Sequence, residues 1–271
     1  MNPIGLNSYN TNSYYYPYQS QYSPQGYYGP YYDIQESSNA ENPAKTLGLA
    51  AMLQGLAMGI KKASEFFSKK LAAGKEFTSA DNVVQAAQNM LDKNKLSTKI
   101  FFINPQNQNQ FAGLGKEMVN EVAKGRNAFF HRGVNVAVAP SSKPSLILHE
   151  LGHAVNFTKP ILRSLQKFGG YALAAPTALL LANRAFSNKQ DGQKTFIEKN
   201  AGILGFCAYI PTLIEEGIAS LRGINAAKKV INNPKALNVL KKNYALAWMT
   251  YLLGALALGV ASKQAVVEDS L

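Results

Sequence analysis

A single cysteine, Cys207, stands in the 271 residues of this chain, so no internal disulfide can form, and this agrees with a reducing compartment around an active site. Histidine is almost as scarce: His131, His149 and His153 are all there are, and any imidazole-bearing site must be drawn from them. The first 43 residues contain neither Lys nor Arg. They lack the basic n-region, apolar core and cleavage site of a secretory signal, which is therefore not expected. They hold ten of the 14 tyrosines among many Asn, Gln, Ser and Pro residues and offer no continuous apolar surface to bury, which predicts a disordered tail over residues 1–43. All 28 basic residues of this chain, whose net charge is +12, fall in residues 44–271, a length that suits one core-bearing domain.

What the chain does contain is His149-Glu150-Leu151-Gly152-His153. Helical positions i and i+4 lie one above the other, so both imidazoles can aim a nitrogen at one metal ion, and zinc accepts that geometry. Glu150, one position round, is placed to act as general base toward a water held there. Ser141-Ser142-Lys143-Pro144 predicts the helix start, because Ser caps and Pro fits the first turn. Leu146, Ile147, Leu151, Ala154 and Val155 predict a buried helix that Pro160 ends. Gly152 costs such a helix about 1 kcal/mol relative to Ala, which predicts a close backbone approach at that point.

A catalytic zinc needs a third protein ligand and an open position. A site of the form His-Glu-x-x-His-x-x-Gly-x-x-His would need Gly at 156 and His at 159, but the chain has Asn156 and Lys159, which excludes that class. Among the carboxylates that follow, chain topology discriminates. The uncharged apolar segments Phe168 to Asn183 and Ala201 to Ile214, separated by the polar stretch Arg184 to Asn200, predict a helical hairpin over 168–214. Asp191 and Glu198 then fall near its far tip, Glu268 and Asp269 in the terminal tail, and Glu215 and Glu216 return to the zinc side. Adjacent helical residues point about 100° apart, so only one of this pair is expected to bind the ion. Glu216 is favoured because Ser220, at i+4, shares its face as a second partner for a ligand; Glu215 stays as the alternative.

His-Glu-Leu-Gly-His, the apolar hairpin, Glu215-Glu-Gly-Ile-Ala-Ser and Asn243-Tyr-Ala-Leu-Ala-Trp-Met-Thr-Tyr-Leu-Leu-Gly-Ala together resemble the neutral zinc metallopeptidase family of bacterial membrane proteins. More distantly they are similar to the HtpX-like and CAAX-prenyl-protease group of integral-membrane gluzincins. The resemblance covers about residues 125 to 262. It implies zinc ligands at His149, His153 and Glu216 and a catalytic base at Glu150. Ser220 departs from the Asp of the HtpX-like group and suits the neutral zinc metallopeptidase pattern.

Upstream, Asn127-Ala128-Phe129 and the alternating run Val134 to Ala139, closed by Pro140, predict a short strand before the zinc helix. It is either a free sheet edge on which an extended peptide could pair or an ordinary structural strand, and the former is slightly favoured. Lys99 to Ile103 predicts a second strand, and a small sheet of the two fits an α+β gluzincin core. His131 and Arg222 are the candidates for stabilising an oxyanion. Thr46 to Ile60 is a further apolar stretch whose periodicity does not decide between a span, an interfacial helix and a packed helix.

Tyr244 to Ser262 contains 19 residues without charge, close to the roughly 20 that cross a bilayer. The segment Arg222 to Lys242 holds six basic residues and no acidic one, which places it, with the zinc helix, on the cytoplasmic side. The fold expected is mainly α (α+β): a helical, membrane-embedded gluzincin-like core in residues 44–271, with its hairpin at 168–214, a C-terminal span at 244–262 and a small sheet before the zinc helix. The function expected is a multi-pass, zinc-dependent endopeptidase of the cell membrane, its active site facing the cytoplasm. Its partners would be peptide or protein substrates, membrane proteins among them, and the lipid bilayer. The rival reading is a non-catalytic membrane interaction protein, with a structural or vestigial zinc site closed by His131 and a partner-recruiting Tyr-rich tail. Nucleic-acid binding rests on charge alone and is not expected.

Overall fold

Strand-forming residues meet first across a long crossover. In the computed structural model, Lys99–Ile103 (β1) and Val136–Pro140 (β3) pair in parallel, Lys99 beside Val136 and Ile103 beside Pro140. The structure describes residues 51–268 except 53, 57, 61, 64, 65, 68–73, 75, 77, 173 and 188–192. The Tyr-rich tail, Asp191, Asp269 and the start of the Thr46 to Ile60 stretch lie outside the described residues. Of that stretch, the described residues from 51 onward are helical, with Met52, Leu56 and Met58 exposed.

The expected pair of strands gains a third. Phe129–His131 (β2) joins β3 antiparallel, giving the order β1-β3-β2. The run 134–139 is therefore not a free edge: β3 is central and all five of its residues are buried. Its alternate side chains serve two cores. Val136 and Val138 pack with Val119 and Val122 of helix α2 (Lys116–Ala123), while Ala137 and Ala139 pack with Ile147, Leu148, Leu151 and Val155 on the other face. That second cluster also takes Val83, Ala87 and Leu91 of α1 (Ala80–Asn94), whose first turn Ser79 caps by accepting the Asn82 N–H at 3.3 Å.

After β3 the chain tightens into a 3-10 turn at Pro144–Leu146 and continues as α3 (Ile147–Phe157), with Pro144 in the first turn as expected but no serine cap. The helix stops before Pro160, which opens α4 (Pro160–Gly169). The segment 168–183 is not one helix: α4 ends at Gly169 and α5 (Ala174–Phe186) starts beyond Gly170, two adjacent glycines of poor helix propensity. The return limb is longer than its apolar run. After α6 (Phe196–Lys199), capped by a Thr195–Glu198 box, α7 (Ala201–Ala208) leads into α8 (Ile210–Ala227), three turns past Ile214. The last helix, α9 (Pro234–Glu268), likewise runs past both ends of 244–262 and includes Glu268.

Among the described residues, two helical stretches are long and apolar enough to cross a membrane: Ala201–Ala227, of 27 residues, and Pro234–Val266, of 33. At about 1.5 Å per residue they reach roughly 40 and 50 Å, more than the roughly 30 Å of bilayer hydrocarbon. Ala174–Asn183 is apolar but too short.

Candidate metal centre

Small residues bring the two working helices together. A Cβ on Gly152 of α3 would lie 2.7 Å from the Ala219 Cα of α8, and one on Gly223 would lie 3.0 Å from the Leu148 backbone. The close approach expected at Gly152 is thus a backbone contact between α3 and α8. It sets Glu216, one turn before Ala219 and Ser220, directly over the faces of His149 and His153.

His149 Nε2 lies 3.0 Å from His153 Nε2 and 3.1 Å from Glu216 Oε2, and the third side of this triangle is 3.6 Å. Such a triangle has a circumscribed radius of about 1.9 Å, the radius on which three tetrahedral ligands lie when each is about 2.0–2.1 Å from one ion. The remaining nitrogens fix the tautomers. His153 Nδ1 faces Glu215 Oε1 at 2.9 Å and Oε2 at 2.8 Å, a carboxylate that also accepts Asn156 Nδ2 at 2.9 Å and Gln166 Nε2 at 2.6 Å. An acceptor of that kind requires a proton on Nδ1. His149 Nδ1 has Ser220 Oγ at 3.1 Å. With both Nδ1 atoms so used, two Nε2 atoms and a carboxylate oxygen converge, and positive charge, whether a proton on His153 or a metal ion, is what satisfies them. The donor set of two imidazoles and one carboxylate fits a divalent ion of zinc's kind and leaves a fourth position for water or substrate.

The same demand for positive charge appears in the proton affinity of His153. Burial disfavours its charged form, yet the carboxylates of Glu215, Glu216 and Glu150 together outweigh that, and its pKa is held up at about 10. Glu150 is buried beside the pair, and burial pushes its carboxyl pKa up against the pull of both histidines. A carboxylate made more basic by burial suits general-base work.

The expected residues separate by role. His149, His153 and Glu216 are brought together, while Glu215, one residue away, turns to the far nitrogen of His153. Ser220 lies on the Glu216 face, where it serves His149. His131 is not in the donor group; it sits in β2, where its Nδ1 accepts the Val134 N–H at 3.4 Å. Arg222 does not aim a free charge at the triangle: its Nε donates to the fully buried Asn156 at 2.7 Å.

Sequence reasoning missed four contributors. Asn156 links Arg222 to Glu215, and Gln166, from α4, completes the Glu215 carboxylate. From α9, the Tyr251 hydroxyl lies beside the Glu216 carboxylate, and the Tyr244 ring backs His149 with centroids 5.5 Å apart while its hydroxyl donates to Ser145 O at 2.8 Å. A signal existed for three of them: Asn156 stands at i+3 from His153, and Tyr244 and Tyr251 are two helical turns apart on one face; Gln166 had none. No protein-family model, curated protein or solved structure matches this chain.

Proposed function

We propose that this chain is a membrane-embedded, zinc-dependent endopeptidase in which His149, His153 and Glu216 hold the ion and Glu150 is the general base. One observation carries the reading: three lone-pair atoms converge on a tetrahedral triangle with a buried carboxylate on the helix position next to His149. Zinc, when bound, polarises a scissile carbonyl and lowers the pKa of a water to about 7. Glu150 takes the proton of the attacking water and delivers it to the departing amine. With the ion bound, Glu215, itself held by Asn156 and Gln166, keeps His153 in the tautomer that leaves Nε2 unprotonated, and Ser220 Oγ is within reach to accept the Nδ1 proton of His149. This is the arrangement that the resemblance to the neutral zinc metallopeptidases leads one to expect. The closed structural site of the rival reading has less support, because no fourth His, Cys, Asp or Glu joins the group among the described residues.

The membrane assignment rests on the two long helices. The apolar window of Pro234–Val266 is only 28 % buried, and that of Ala201–Ala227 only 39 %, where the core helix of a soluble enzyme would be mostly covered. Ile203, Ile214, Leu221 and Leu256 are exposed along them, so lipid is their natural solvent. The basic turn between α8 and α9 then faces the cytoplasm.

The test compares three proteins in detergent on a quenched fluorescent peptide library, with zinc measured on the same samples. Parent and Glu150→Gln retain zinc and only the parent cleaves; His149→Ala loses both. A fully active Glu150→Gln protein would overturn the mechanism.

A further inference from the structure

We infer that the cleft between α1 and the end of α8 is a binding site for a phosphoryl anion. The cleft encloses about 150 Å³. A water molecule's share of the liquid is about 30 Å³, so the space takes a phosphate group with water to spare. Lys93 of α1, Arg222 and Asn225 at the end of α8, and Lys229 in the turn that follows line it beside the apolar Met90 and Val155. Among the described residues no carboxylate lines it.

Helix spacing and the turn after it produce the convergence. Arg222 and Asn225 stand at i and i+3 near the end of α8, Lys229 lies in the turn that follows Ala227, and α1 presents Lys93. Neither lysine has an ion-pair partner among the described residues. Nor are they occupied in ending their helices. Lys95 N and Leu96 N already bond Asp92 O and Leu91 O, and Val230 N and Ile231 N already bond Ala227 O. Arg222 uses Nε on Asn156, which leaves its two terminal nitrogens for the cleft. Three cations at one point beside apolar side chains concentrate positive potential there. A carboxylate has two oxygens and one charge for them. A phosphate monoester has three acceptor oxygens and a charge of about −1.5 to −2, which matches the donor count. The cleft is short and open to solvent and no aromatic residue lines it among the described residues, unlike the track on which a nucleic-acid strand stacks.

Two sources present this chemistry, a soluble phosphate ester and the headgroup of phosphatidic acid in the adjacent leaflet. Because Arg222 also belongs to the hydrogen-bond chain that ends on His153, the test leaves it intact and uses Lys93→Gln/Lys229→Gln. Both lysines are exposed, so the double variant is expected to keep the parent's zinc content and unfolding temperature. The full chain in neutral detergent is titrated with inorganic phosphate and followed by phosphorus NMR line broadening. Saturable one-site binding is expected, weakened at least about tenfold in the double variant. Absence of saturable binding, or equal binding by the variant, overturns the site. Repeating the titration in nanodiscs separates the sources. Weaker phosphate binding in discs with phosphatidic acid than in discs with phosphatidylglycerol identifies the lipid headgroup as occupant, and equal binding in the two identifies a free phosphate.

Discussion

The Glu215 carboxylate accepts the Nδ1 proton of His153 at 2.9 Å, although its chain neighbour is the residue that faces the Nε2 side. Two consecutive glutamates on one helix thereby address opposite edges of a single imidazole. The roughly 100° turn between adjacent helical residues makes this possible: Glu216 reaches over both rings, and Glu215 passes alongside α3 to meet Asn156 and Gln166. One glutamate can donate a lone pair to an ion, and the other can only set the ring that does so.

The two glutamates therefore differ in what their loss does to metal binding. Glu216→Gln removes a donor from the triangle, and zinc content in the purified protein is expected to fall from one equivalent to a small fraction. Glu215→Gln leaves all three donors, and its zinc affinity is expected to fall about 10- to 100-fold, the range for an outer partner of a ligating histidine. Competition with a chromophoric chelator measures both. The opposite ranking would assign the third ligand to Glu215.

Proton release should accompany metal binding. The His153 pKa, held at about 10, lies above its ordinary value of 6.5, so the metal-free ring is charged at pH 7 to 8. Zinc needs the Nε2 lone pair, so binding must expel that proton, and affinity rises with pH until the ring is neutral near pH 10. The linkage sign for stability is the reverse. A raised folded-state pKa stabilises the metal-free protein fully below about pH 6.5, and that contribution is lost as pH rises toward 10. Calorimetry of zinc binding at pH 7.5 in buffers of different ionisation enthalpy is expected to report release of about one proton. Zero release would show that His153 is already neutral.

Much of this was legible because the motif, the helix after it and β1 obey local rules. His149, Glu150 and His153 fall on α3 because i,i+4 spacing, Pro144 and Pro160 bound it, and Lys99–Ile103 is a strand from its own residues. The misreadings are non-local. Val134 to Ala139 alternates like a half-buried edge, yet β3 is central, because small alanines on one face and valines on the other serve two separate cores. The apolar run 168–183 counts as continuous on a hydropathy scale, which does not register the Gly169-Gly170 pair that divides it. Asn156 served only to exclude a class of site, whereas in the fold it is the buried link between Arg222 and Glu215. Partners that meet across 59 to 66 positions of sequence, as these do, leave no periodic trace.

The seam between α3 and α8 has its own prediction. Gly152→Ala places a methyl 2.7 Å from the Ala219 Cα, and backbone cannot yield as a flexible side chain would. The helices must separate, at a cost of about 1–3 kcal/mol typical of overpacking, and Glu216 moves away from the two rings. A lower unfolding temperature together with weaker zinc binding is expected from thermal melts with and without zinc. Ala219→Gly in the same chain is expected to recover neither, because the atoms that the new methyl meets are Ala219 backbone, which Gly keeps. A Gly152→Ala protein with parental zinc affinity would mean that the close contact does not set the ligand geometry.

The lone cysteine makes the membrane arrangement testable without extensive engineering. Cys207 is exposed on α7, within the apolar stretch Ala201–Ala227, so in a bilayer its thiol is expected to face lipid and to resist a membrane-impermeant maleimide from either side. Detergent should expose it. In a Cys207→Ser background, a cysteine placed at Asn232, in the basic turn between α8 and α9, is expected to react in inverted vesicles and not in intact cells, as positive-inside orientation requires. A cysteine at Thr195, between α5 and α6, should show the reverse pattern, since α7 and α8 carry the chain across between the two positions. Labelling of Cys207 in intact membranes by the impermeant reagent would make α7 a water-facing helix. Labelling of positions 195 and 232 from the same side would show that the stretch does not cross at all.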